Sequence, residues 1–269
     1  MAEQEEAITV VVKDNLQESP KNTKMVSAWK DLKSSAYWKL YQTLPWYIMS
    51  YLIIFIVIYN ACYPSHKKLS YLQIDTQHVE QAWRIYTHAF LHADAVHLTS
   101  NCITIFCLTL MLGTAHHKQQ WRIMILYTLA ILHGTCGIGW EKRLAYPSQR
   151  FRAIGASGSA YGLLGMNTSD LVLNWSGMPL RWFRLFILSF FIAFELVAWY
   201  YLYSDSVSVS GHLGGFLGGV IGAPCLLIDA SHPHHEDVGL LRIVMSSVLY
   251  ASYTIAGLVN YFTFAASSS

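Results

Sequence analysis

The sequence predicts an all-α fold, a polytopic bundle of membrane-spanning helices, on three observations. Hydrophobic residues make up 54% of the 269 residues and charged residues only 13%, about half the ~25% of soluble domains. Mean hydropathy is +0.32. Apolar segments follow one another along most of the chain, several close to the ~20 residues that cross a bilayer core as a helix. Backbone groups in lipid must be bonded within their own segment, so these segments are helices.

Hydropathy places seven of them: Trp46 to Tyr63, His97 to Ala115, Trp121 to Trp140, Ala153 to Val172, Phe183 to Tyr203, Gly211 to Ile228, and Leu240 to Phe264. The sixth carries two interleaved glycine rows, Gly211, Gly215, Gly219 and Gly214, Gly218, Gly222. Residues four apart share a helix face, so each row admits a neighbouring backbone at close range. The glycines of the fourth segment are the expected partner. Residues 1–44 are polar and read as a cytosolic, partly disordered tail. Within it Met25, Trp29, Leu32 and Ala36 recur at helical spacing beside lysines, as in a helix lying on a membrane surface or an ordinary solvated linker helix. The chain divides into this tail, a six-helix core over 45–228, and a loop with a seventh helix over 229–269.

Net charge is +2, with no basic block of the kind that binds nucleic acid, so none is expected as a partner. The five cysteines, Cys62, Cys102, Cys107, Cys136 and Cys225, lie in or beside apolar segments without Cys-x-x-Cys spacing. They read as buried free thiols. His88, His92 and His97 lack a His-Glu-x-x-His pattern or a completing carboxylate, and His232-Pro233-His234-His235 reads as a solvated loop. No metal or cofactor is expected.

Three polar motifs each open an apolar segment: His97-Leu98-Thr99-Ser100-Asn101, Gly155-Ala156-Ser157-Gly158, and Gly211-His212-Leu213-Gly214. Small residues around Ser157, Gly155 among them, let a helix or a substrate backbone approach its hydroxyl. Packing of the fourth segment on the sixth would bring Ser157 and His212 together. No acidic residue stands beside either motif, which points to a pair rather than a triad. Tyr161 lies one turn after Ser157, where its ring can pack on His212. His97 and Asn101 are also one turn apart and carry N–H donors suited to a developing oxyanion.

The three motifs, in this order, resemble the rhomboid family of intramembrane serine proteases over about Trp83 to Gly219. Trp83-Arg84 resembles the Trp-Arg pair in the large first loop of rhomboids. Leu91-His92-Ala93-Asp94, Glu195-Leu196-Val197-Ala198 and the Gly211-His212 pair look closest to the family's endoplasmic-reticulum, secretory-pathway group. Six core helices plus one at the C-terminal end resemble the same group. The resemblance implies a serine endopeptidase that cleaves single-pass membrane proteins, its partners being those substrates and the lipid bilayer. Ser157 would be the nucleophile, His212 the base, His97 and Asn101 the oxyanion donors, and Tyr161 and Gly155 positioning residues. It also implies a cytosolic N-terminus, which charge bias leaves undecided. Inactive rhomboid-like proteins that bind clients are the alternative. These often lack the serine or histidine, or carry proline before the serine, whereas Ala156 precedes Ser157 here. The sequence departs from the family at Val207 and Gly211, where Gly-x-x-x-Ala-His is common, and has no glutamate in Gly113–His117. Glu195, inside the fifth segment, reads as structural or substrate-binding. Asp170, near the end of the fourth, reads as solvated.

Overall fold

The computed structural model describes residues 44–62, 70–75, 77–116, 120–145, 150–178, 180–201, 208–227 and 236–268. The Met25–Ala36 stretch, Val207, His117, the His232–His235 run and the side chains of Cys62 and Glu195 lie outside the described residues.

Seven long helices account for most of the described chain: α1 Trp46–Cys62, α2 Ala95–Ala115, α3 Gln120–Ala145, α4 Ser157–Leu173, α5 Arg181–Tyr201, α6 Val209–Leu226 and α7 Glu236–Ser268. The chain is an all-α, polytopic membrane protein, with a six-helix core and a seventh helix packed on it. Among the described residues, four segments are long and apolar enough to cross a bilayer, Ala95–Ala115, Gln120–Glu141, Val209–Leu226 and Leu240–Thr263, with Trp46–Ala61 a shorter apolar helix. The all-α expectation misses one detail. Ile74–Asp75 (β1) pairs antiparallel with Arg152–Ala153 (β2), Ile74 opposite Ala153.

This strand pair moves the start of α4. The fourth apolar segment reads from Ala153, yet the helix begins at Ser157, because β2 and a left-handed Gly155 (φ +116°) intervene. The resulting helix is short, and it is enclosed by α2, α3 and α6. From Ser159 to Leu171 nearly every residue on it is buried. A helix shielded from lipid tolerates polar residues that have partners. Asn167 Nδ2 donates to the Leu108 carbonyl of α2 at 3.0 Å. Asp170, expected in solvent, is instead 2% exposed, bonded to His116 Nε2 at 2.8 Å and to Asn174. Arg184 of α5 donates to Thr114 Oγ1 at 2.6 Å. His116 and Thr114 thus tie α2 to α4 and α5, in the connection that lacks the family's glutamate.

The two glycine rows of α6 face different partners, where the sequence pointed both at α4. A methyl on Gly215 would sit 2.8 Å from the Gly158 carbonyl carbon, and one on Gly219 2.9 Å from that of Gly162. The other row meets α3: a methyl on Gly214 would lie 2.8 Å from Gly137 Cα, and one on Gly218 2.6 Å from the ring of His133. Gly134 of α3 in turn faces Gly158. Three helices therefore meet almost backbone to backbone around Gly158. Cys136 and Cys225 are buried free thiols, while Cys102 and Cys107 are only half-buried.

Candidate active site

Asp94 fixes the first turn of α2. Its extended backbone and short carboxylate make it an N-cap, accepting from the His97 backbone N–H at 2.8 Å. The ring of His97 then lies against Gly155, where an added methyl would come within 2.7 Å of His97 Cε1. Two constraints therefore select glycine at 155, the positive φ and the imidazole beside it. The Gly155 N–H donates to the His88 carbonyl at 2.9 Å. His88 is itself held by Nδ1–H donating to the Arg84 carbonyl at 3.0 Å. Burial pushes the His88 imidazole down to about 4, so it serves as a neutral hydrogen-bonding prop near pH 7. One turn beyond His97, Asn101 is buried, and its Nδ2 has no hydrogen-bond partner among the described residues.

Ser157 is the first residue of α4. A helix leaves its first N–H groups without intrahelical acceptors and concentrates positive potential there. The Ala156 carbonyl takes the N–H groups of Ser159 and Ala160. The Ser157 N–H remains at the helix mouth beside its own hydroxyl. From α6, His212 Nε2 lies 2.9 Å from Ser157 Oγ. With the imidazole proton on Nδ1, Ser157 Oγ–H donates to Nε2. Among the described residues no carboxylate bonds this imidazole. Tyr161, one turn along α4, stacks on it instead, with ring centroids 4.1 Å apart and planes 15° from parallel.

The structure thus brings Ser157, His212 and Tyr161 together, and sets His97 against Gly155 two residues before Ser157. Neutral serine, a bonded imidazole and donors at a helix mouth are the parts of an acyl-transfer site.

Three networks of bonds support this arrangement, and of the charged residues at their centres only Arg84 stood in a motif of the sequence. Glu141 of α3 accepts from Ser208 Oγ at 3.4 Å and from Ser210 Oγ, while Ser208 Oγ caps α6 by accepting the Gly211 N–H at 3.1 Å. The first turn of the helix that carries His212 is thereby held to α3. Arg84, 3% exposed, gathers the preceding segment by donating to the carbonyls of Ser70 and Gln73, each at 2.7 Å, and to Gln81 Oε1 at 2.8 Å. Asp75 on β1 is buried and receives the guanidinium groups of Arg150, just before β2, and of Arg152 on β2 itself. Burial works against the Asp75 charge, but the bonds from Arg150, the Gln77 N–H and Arg152 outweigh it and hold the carboxyl below its usual range. The pairings that cross between elements, Glu141 with Ser208 and Ser210 and Asp75 with Arg150 and Arg152, join residues far apart in sequence, and no local pattern announced them.

Comparison with known proteins agrees with this architecture. The Rhomboid domain profile matches residues 79–228. Rhomboid-related protein 1 of Caenorhabditis elegans is 33% identical over 187 residues, covering 67% of this chain and 50% of that protein. Inactive rhomboid-related protein 2 of the same organism is 28% identical over 158 residues, 57% of this chain and 43% of its own length. Rhomboid-like protease 3 of Toxoplasma gondii is 28% identical over 142 residues, 52% of this chain and 50% of its own. The chain spans half or less of the length of these curated relatives. With the profile covering more than half of the chain and the identity to the first relative, the chain belongs to the rhomboid family.

Proposed function

We propose that this protein is an intramembrane serine endopeptidase of the secretory pathway, cleaving single-pass membrane proteins in or near their transmembrane segment with a Ser157–His212 dyad. The observation that carries the reading is the 2.9 Å contact between His212 Nε2 and Ser157 Oγ. A serine hydroxyl becomes a nucleophile when an adjacent base takes its proton. Ser157 Oγ attacks the scissile carbonyl carbon as its proton passes to His212. The imidazolium returns that proton to the leaving amine, and a water activated by the same imidazole hydrolyses the acyl-enzyme. The oxyanion formed at each stage meets the Ser157 N–H at the α4 mouth, the Asn101 amide and the His97 ring. No cofactor enters the sequence of steps.

The similarity to an inactive rhomboid-related protein favours a second reading, in which the protein binds membrane clients without cleaving them. A serine already bonded to a base argues for the enzyme. The deciding experiment is labelling of the detergent-solubilised protein with a fluorophosphonate probe. Labelling of the wild type, lost in both Ser157→Ala and His212→Ala and no worse in the double variant, is expected because the two residues act as one unit. A folded wild type that never labels leaves the client-binding reading.

A further inference from the structure

We propose that α7 is a positioning element for the catalytic base, acting through the Tyr253 hydroxyl on the Gly214 carbonyl; the inference rests on the protease reading above. Tyr253 Oη donates to the Gly214 carbonyl at 3.0 Å, and Gly214 lies two residues beyond His212 on the same turn of α6.

The face that α7 turns to the bundle is a single stripe. Tyr250, Tyr253, Thr254, Gly257 and Tyr261 recur at helical spacing. Tyr250 lies over Gly222 of α6, Gly257 against Cys136 of α3, and Tyr261 against Gly139 of α3. The opposite face, including Leu241, Val248, Leu249 and Val259, is exposed and apolar, as a lipid-facing surface should be. Lipid is as apolar as leucine, so hydrophobicity alone does not seat α7, and directional bonds decide its register. Among the described residues the stripe shows two of them to neighbouring helices. Besides Tyr253, Thr254 Oγ1 lies 2.9 Å from Nε2 of His133, a fully buried α3 residue. The Thr254 hydroxyl proton is already given to the Tyr250 carbonyl at 2.8 Å. His133 Nε2–H is therefore the donor, and its ring, 5.1 Å from that of Tyr253, is fixed in one orientation.

At its start α6 is held by Glu141 through the Ser208 and Ser210 hydroxyls, but beside Gly214 and Gly215 its contacts with α3 and α4 are backbone against backbone. Gly215 rests on Gly158 of α4, and Gly214 on Gly137 of α3. Such contacts set how closely helices approach but resist sliding and rotation weakly. The Tyr253 bond is directional and reaches the turn that carries His212. It locks the rotation of α6 that keeps Nε2 on Ser157 Oγ. A hydroxyl left without an acceptor in an apolar surrounding is costly, so the contact also resists opening.

The test uses the full-length protein in detergent and the rate of fluorophosphonate labelling as a function of probe concentration. Tyr253→Phe removes one hydroxyl and keeps the ring. The expected result is a threefold to twentyfold fall in the maximal labelling rate, the span of single interhelical hydrogen bonds in a bilayer, with unchanged half-saturating probe. Leu249→Ala, on the lipid-facing side, should label at the wild-type rate. Tyr253→Phe labelling as fast as wild type overturns the inference alone. So does a loss that merely follows the fraction of folded protein, seen as a matching fall in melting temperature. A wild type that does not label overturns the protease reading, and the inference with it.

Discussion

Tyr161 and His212 stack face to face, with centroids 4.1 Å apart and planes 15° from parallel. Among the described residues no carboxylate bonds this imidazole, and the proposed dyad would take its orientation from the ring where a triad takes it from a carboxylate. Tyr161 lies one turn after Ser157 on α4, so the proposed nucleophile and its orienting ring would come from one rigid element.

If the stack orients the base, the ring matters more than its hydroxyl. Tyr161→Phe should keep most fluorophosphonate labelling, whereas Tyr161→Ala should lower the rate by roughly 10²-fold, the cost of a misplaced catalytic group. Wild-type labelling by Tyr161→Ala would show that His212 is oriented by something else.

The α6–α4 contact allows a test in which two known effects have opposite signs. Gly→Ala within a helix ordinarily gains about 1 kcal/mol of propensity. At Gly215 the new methyl meets the Gly158 carbonyl carbon at 2.8 Å, and overpacking of a rigid contact costs about 1–3 kcal/mol. Packing wins, so Gly215→Ala should melt lower than wild type and lose labelling with it. Gly158→Ala should be milder, since its methyl meets Gly134 Cα at 3.2 Å. Equal or raised melting of Gly215→Ala would mean that the two helices stand further apart.

Features set by local pattern were legible, and features set by distant pairing were not. Hydropathy located the seven helices because each must satisfy its backbone alone, and period four separated the two glycine rows of α6. The assignment of both rows to α4 failed because the glycines of α3, Gly134 and Gly137, stand among larger residues and form no conspicuous row. Asp170 looked solvated because an acidic residue near a helix end ordinarily is. Its partner His116 is 54 positions earlier, and only the enclosure of α4 makes the pair necessary. The start of α4 was misplaced for a related reason, since β2 owes its strand to Ile74 and Asp75, far upstream. Ser157, His212 and Tyr161 could be put together beforehand because helix spacing plus one glycine-lined contact suffices. The clasp of Glu141 on Ser208 and Ser210 offered no comparable pattern.

The Asp75 pairings predict an acid-sensitive component of stability. The folded-state carboxyl is held below its unfolded value, so its contribution is fully present above the unfolded pKa of about 3.9 and fades as pH falls through the folded value. Asp75→Asn should therefore melt below wild type at neutral pH, with the gap closing below about pH 4. Because Arg150 and Arg152 are partly exposed, solvent screening keeps the effect modest. Melting curves of both proteins between neutral and acidic pH check this, and a gap independent of pH would assign the loss to packing.

Asn101 offers the sharpest separation of catalysis from packing. Its Nδ2 is buried without a hydrogen-bond partner among the described residues, and an unsatisfied buried donor costs about 1–3 kcal/mol. That cost is sensible if an acceptor arrives during the reaction, as the carbonyl oxygen becomes an oxyanion. Removing the amide then has two opposed effects on folding, relief of the orphaned donor and loss of side-chain packing, so the melting temperature of Asn101→Ala should change little. Its effect on the transition state is unopposed. Loss of one oxyanion donor lowers turnover by about 10²–10³-fold, with little change in apparent substrate affinity, because the ground-state carbonyl engages the donor weakly. His97→Ala should fall less far, since the Asn101 amide and the Ser157 N–H remain. Both variants should still label with the fluorophosphonate, more slowly, because Ser157 and His212 are intact. Unchanged turnover in a folded Asn101→Ala would make the amide a packing residue, and marked destabilisation would mean that its bonds within the bundle outweigh the orphaned donor.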